Sequence, residues 1–136
     1  MPDELLISQT KIILPQRRKE LLSRPRLLEL LSDLLDFRLI IIAAPAGYGK
    51  TSLLIDFADQ FDWPVCWYSL DPLDIDIHRF LSHFVMSIKR RFPEFGEEAI
   101  NILRTTPADQ LNLDYLVSAL TNDIYEKITE HFILVL

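Results

Sequence analysis

The chain has 136 residues, 49% of them apolar and 25% charged, which suits one globular domain, or part of one, with a core to bury. A net charge of −6 and a pI of about 5.0 exclude a basic nucleic-acid-binding surface for the chain taken whole. The single cysteine, Cys66, excludes an internal disulfide and fits a reducing compartment.

Met1 to Gln9 has no clear period and reads as a loose tail without the basic-then-apolar pattern of a signal peptide. The Arg17-Arg18-Lys19 run that follows reads as solvated charge rather than an anion contact. Residues 1–38 hold seven Lys/Arg against six Asp/Glu, whereas residues 39–136 hold seven against fourteen. Leu27, Leu30, Leu31, Leu34 and Leu35 recur at helical spacing behind Pro25, a residue suited to a first turn, so a helix over 25–36 is expected.

Residues 38–44, nearly all apolar and isoleucine-rich, predict a strand buried on both faces. A helix over 50–61 follows, with Leu53, Leu54, Phe57, Ala58 and Phe61 inward, and then a second buried strand over 64–70. Strand, loop, helix and strand within about thirty residues make a βαβ unit. Cys66 falls in the second strand and reads as a small core residue.

Asp74 and Asp76 read as helix caps, and Asp71, at a strand's C-terminal end, as either a cap or a residue near a bound γ-phosphate. A helix over 78–91 turns Phe80, Leu81, Phe84, Val85 and Ile88 inward. A short helix near 97–104 and a turn at Thr106-Pro107 come next. Leu113, Leu116, Val117, Leu120 and Ile124 line a last helix, and residues 132–136 read as a third buried strand. His78, His83 and His131 show no zinc spacing and read as surface or partly buried residues. The longest apolar run, residues 39–46, is far too short to span a bilayer, so a cytoplasmic protein without membrane contact is expected.

The chemistry lies in the turn between the first strand and its helix, Ala44-Pro45-Ala46-Gly47-Tyr48-Gly49-Lys50-Thr51-Ser52. A phosphate-binding loop has the pattern G-x-x-x-x-G-K-[ST], and here Ala44 stands in place of the first glycine. That position lies at the strand exit, where a methyl group is harmless if φ is negative. Gly47 and Gly49 let the backbone approach phosphates closely. Lys50 supplies the catalytic cation for the β- and γ-phosphates, and Thr51 a hydroxyl ligand for Mg²⁺. The bland alternative is a glycine-rich turn that merely joins strand to helix.

The combination of "RPRLL", "PAGYGKT" and "WYSLD" resembles the N-terminal ATPase domain of the MalT-type, LuxR-family transcriptional regulators, which belong to the STAND class of P-loop NTPases. The likeness covers roughly residues 10–136. It implies an α/β fold, the P-loop NTPase three-layer sandwich with a mostly parallel sheet, here incomplete and limited to its N-terminal part. Residues 1–24 would then be a tail and a segment leading to the nucleotide site. Residues 25–136 would be the N-terminal portion of the NTPase domain, ending before the Walker B acids.

The resemblance further implies ATP/ADP and Mg²⁺ as ligands of a slow, switch-like ATPase. Arg24 takes the place of an arginine near adenine and ribose, and Pro25 stands where many members have glutamate. The remaining domains of a longer parent would be partners, and DNA would be reached only through a distant C-terminal domain. Nucleotide-dependent self-association of the parent is among the implied behaviours. A fragment lacking the Walker B acids would hydrolyse little, and its sheet would lack a strand between the first and third seen here. Two other classes stay open on the residues alone: another P-loop enzyme such as a small-molecule kinase, and a non-catalytic module using the fold as a scaffold.

Overall fold

The computed structural model describes residues 4–136. They divide into two compact units. One comprises residues 4–14 with Trp63–Leu136, and the other is Pro15–Asp62.

The larger unit holds strands β1 (Val65–Trp67) and β2 (Ile133–Val135) and helices α3 (Ile77–Lys89), α4 (Glu97–Thr105) and α5 (Leu113–Lys127). The strands run parallel, Cys66 opposite Leu134, and the ladder is extended by Ile133 N–H to Pro64 O and Tyr68 N–H to Val135 O, both 2.9 Å. A parallel pair needs a long crossover, and the three helices supply it. Val85 and Ile88 of α3 pack in one core with Phe95, Leu103 of α4, and Leu116 and Leu120 of α5. Cys66 is in that core, and burial pushes its thiol up to about 11. The thiol is therefore an apolar packing element, as its sequence surroundings suggest.

The helices start and stop for local reasons. Asp76 accepts from Arg79 N–H at 2.9 Å to cap α3, and Asn112 accepts from Tyr115 N–H at 3.0 Å to cap α5. Asp71 and Asp74 form a reciprocal capping box on the short 3₁₀ helix Pro72–Ile75. All three aspartates are thus caps. Asp71 and Asp74 do more, since both bind the Lys11 ammonium, and Arg79 Nε stands 3.2 Å from Asp74. Burial alone would raise the Asp74 pKa, but the bonds from Lys11 and the Asp71 backbone hold it well below the carboxylate range.

The expected tail is partly anchored. Ser8 donates its N–H to His83 Nε2 at 3.1 Å, Ser69 N–H bonds Lys11 O at 2.8 Å, and Lys11 and Ile12 are buried. Its first three residues lie outside the described ones. His83 is fully buried, which corrects the expectation of a surface or partly buried ring. Because Nε2 accepts from Ser8, Nδ1 carries the proton and donates to Arg79 O at 2.8 Å.

Two further expectations are corrected here. In α5, Leu113 and Val117 face outward while Leu116 and Leu120 are buried, because only the 116–120 side meets the core. Strand β2 is half-buried along its length rather than buried.

The smaller unit holds α1 (Pro25–Asp33) and α2 (Lys50–Gln60). Pro25 occupies the first helical position of α1, as its fixed φ favours. Leu31 of α1 and Leu53 and Phe57 of α2 are the buried apolar residues, and Phe57 stacks on Phe61 at 4.8 Å. The strand expected over 38–44 is not formed among the described residues. Exposure alternates there, with Leu39 at 75% and Ile41 at 78%. A strand is made by a partner's hydrogen bonds and not by its own residues. The two strands described pair with each other.

Candidate nucleotide-phosphate site

The loop of residues 44–49 runs into α2 through two glycines with positive φ, Gly47 at 88° and Gly49 at 77°. No non-glycine described residue has positive φ, so Ala44 meets the condition under which its methyl is harmless. Gly49 is the N-cap of α2, and no side chain caps that helix. Its first internal bond is Leu53 N–H to Gly49 O at 2.9 Å. The N–H groups of Lys50, Thr51 and Ser52 therefore have no carbonyl within the helix and form a set of donors at the positive end of the helix dipole. Such a terminus suits an anion.

Gly49 is favoured on two counts. Its φ disfavours any side chain, and a Cβ there would sit 3.1 Å from the Arg24 guanidinium.

The structure brings Arg24 to the loop. Its Nη2 donates to Gly49 O at 2.7 Å and its Nη1 to Tyr48 O at 3.4 Å. The Lys50 ammonium donates to the carbonyl of Ala44. Pro45, Ala46 and the Tyr48 side chain are exposed, and Ser52 is half-buried. The Thr51 residue is exposed at the second position of α2, so its hydroxyl is accessible to a cation. Among the described residues no group of three or more His, Cys, Asp or Glu gathers to hold a metal. A Mg²⁺ ion at Thr51 would take its other ligands from phosphate and water, as that ion commonly does.

One feature escaped sequence reasoning. Asp56, on the back of α2, is only 2% exposed. It accepts from Arg17 Nε at 2.7 Å, Ser23 Oγ at 2.9 Å and Gln60 Nε2 at 2.6 Å. Burial alone would raise its pKa, yet these donors hold the carboxyl below its usual value. Arg17 is therefore committed to an ion pair, which corrects the solvated reading of the 17–19 run for that residue. Arg18 and Lys19 are exposed. The missed signal was an aspartate amid the apolar stripe Leu53, Phe57, where a buried charge needs a partner.

A cavity of about 740 Å³ lies in the other unit, lined by Leu73, His78, Arg79, Ser82, Leu103 and Arg104 among others. Most of its polar groups are engaged. His78 Nε2 meets Leu103 O at 2.6 Å, Ser82 Oγ donates to His78 O at 2.7 Å, and Arg79 faces Asp71 and Asp74. The loop, with its unsatisfied donors, is the stronger candidate. No described helix is long and apolar enough to cross a membrane.

No protein-family model matches the chain, and no solved structure matches it. Curated proteins do. The chain is 40% identical over 85 residues to the HTH-type transcriptional regulator MalT of Yersinia enterocolitica, and 38% identical over 85 residues to those of Yersinia pestis and Yersinia pseudotuberculosis. Each match takes in 62% of this chain and only 9% of the relative. The likeness is thus substantial for this chain and confined to a small part of a much longer regulator.

Proposed function

We propose that the chain is the adenine-nucleotide-binding part of a MalT-like, STAND-type ATPase switch that regulates transcription. The observation that carries this reading is the loop itself: positive-φ glycines at 47 and 49, an uncapped α2 N-terminus, and Lys50 and Thr51 as its first two residues. The likeness to regulators named MalT supports the regulatory half of the proposal.

In this reading the N–H groups of residues 49–52 receive phosphate oxygens, and Lys50 leaves the Ala44 carbonyl to neutralise the β- and γ-phosphates. Thr51 would ligate Mg²⁺, which would screen the phosphate charge. The cytoplasm is the compartment such a switch would occupy. The acidic balance makes this stretch a poor ligand for DNA, so promoter contact would fall to another domain of a longer protein.

Calorimetric titration of Mg-ATP and ADP into the chain and its Lys50→Ala variant tests the proposal. Binding by the unmutated chain and a ten-fold or greater loss in the variant, about 1.4 kcal/mol, is the expected result. Equal affinity in both proteins would show that the loop is no phosphate site.

A further inference from the structure

We propose that Arg24 and the buried Asp56 are positioning residues that aim the loop's N–H donors, and that Arg24 acts on the loop backbone rather than on the nucleoside. The inference rests on the loop being a phosphate site.

A trans peptide points its C=O and N–H in opposite directions, and no described peptide is cis. The carbonyl of Gly49 shares a plane with the N–H of Lys50, and the carbonyl of Tyr48 with the N–H of Gly49. By holding Gly49 O at 2.7 Å and Tyr48 O at 3.4 Å, the guanidinium fixes both planes from the carbonyl side. The N–H groups of Gly49 and Lys50 then point away from Arg24, toward the face open to an anion. The planar fork of arginine reaches two carbonyls at once, which lysine's single ammonium does poorly.

What places Arg24 is the preceding residue. Ser23 Oγ is tied to Asp56 at 2.9 Å, and Arg17 Nε to the same carboxylate at 2.7 Å. Arg17 Nη2 also holds Leu21 O at 3.1 Å, which shapes the chain between them. Asp56 lies on α2, the helix that the loop opens. The segment carrying Arg24 is thus bracketed to the same rigid element as the donors it orients. Gln60, one turn on, braces the carboxylate at 2.6 Å.

The test is calorimetric titration of Mg-ATP and of Mg-tripolyphosphate, which has no base or sugar, into the chain and its variants. Arg24→Ala is expected to weaken both ligands by the same factor, about ten-fold. Asp56→Asn, and the milder Ser23→Ala, are expected to weaken both in the same direction but to add no further loss in the Arg24→Ala background. The exposed Arg26→Ala serves as the unchanged control. A variant that merely loosened the fold would lose affinity equally in either background.

Loss of ATP binding with tripolyphosphate untouched would assign Arg24 to the nucleoside and overturn the inference. Unchanged affinity for both ligands in folded Asp56→Asn and Ser23→Ala would overturn the part played by Asp56. If the unmutated chain bound neither ligand, the functional reading would fail on its own. The positioning would still be read from the Gly49 and Lys50 amide resonances. These are expected to move in Arg24→Ala and Asp56→Asn and to stay in place in Arg26→Ala; no movement in the first two would refute it.

Discussion

The two units use one device in two settings. In the larger unit, Lys11 lies buried against Asp71 and Asp74 and ties residues 4–14 to the 3₁₀ turn before α3. In the smaller, Arg17 lies against buried Asp56 and ties the segment before α1 to α2. The settings differ in what stands behind the ion pair. The larger unit has a continuous apolar core drawn from a strand, three helices and Phe95. The smaller has three buried apolar side chains, Leu31, Leu53 and Phe57, and exposes Leu22, Leu30, Phe37, Leu39 and Ile41. A buried pair backed by a core tightens something already held. A buried pair beside a thin core carries a larger share of the local order.

Breaking the larger unit's core should have the greatest effect. Phe95 is fully buried, and Phe95→Ala is expected to cost about 3–5 kcal/mol in chemical denaturation. Asp74→Ala leaves the Lys11 ammonium with only half-exposed Asp71. The expected cost is about 3 kcal/mol, near the lower end for a broken buried pair.

The same carboxylates set a pH dependence. The pKa values of Asp56 and Asp74 are lower folded than unfolded, so their contribution is complete above the unfolded value of about 4. It is lost as pH falls through the lower folded values. Lys11 has the opposite sign. Burial alone would lower its pKa, but Asp71 and Asp74 raise it, so its contribution is complete below about 10 and lost as pH rises through the folded value. Denaturation midpoints measured from pH 2 to 5 should fall with acid, and less steeply in Asp74→Ala.

A glycine pair sharpens the contrast. Gly96 precedes α4 at φ 82°, and an added Cβ would lie 2.5 Å from Val85 Cγ1 inside the core. Gly96→Ala should therefore combine left-handed strain with overpacking, about 2–4 kcal/mol in all. Gly47 has a similar φ and nothing within 4 Å, so Gly47→Ala should cost only the strain, about 1–2 kcal/mol. Equal costs would mean that the core around Val85 yields easily. The smallest effect belongs to the exposed run: Ile41→Ser should change stability by no more than about 0.5 kcal/mol.

Much of this architecture is legible in the residues. The four helices with expected bounds lie within three residues of where apolar spacing and Pro25 set them, because an α-helix satisfies its own backbone and shows its period locally. Strands β1 and β2 fall inside their expected runs for the weaker reason that short apolar runs between turn signals mark buried extended chain. The loop residues 44–52 could be identified as a candidate because glycine, lysine and threonine at fixed offsets leave few other uses.

Three things needed the tertiary structure, and each depends on residues far apart in the chain. Whether residues 38–44 form a ladder depends on a partner strand, which no local pattern supplies. Which face of α5 is inward depends on where α3 and α4 stand, so Leu113 and Val117 misled. The roles of Arg17, Arg24 and Asp56 depend on bonds spanning 25 to 39 residues, made by side chains whose types are ordinary at the surface. The sequence by itself therefore determined the helices and the residues of the candidate loop, since both are written in neighbouring residues. Only the tertiary structure decided which charges are buried and what aims the loop, since a buried charge is defined by the partner that folding brings to it.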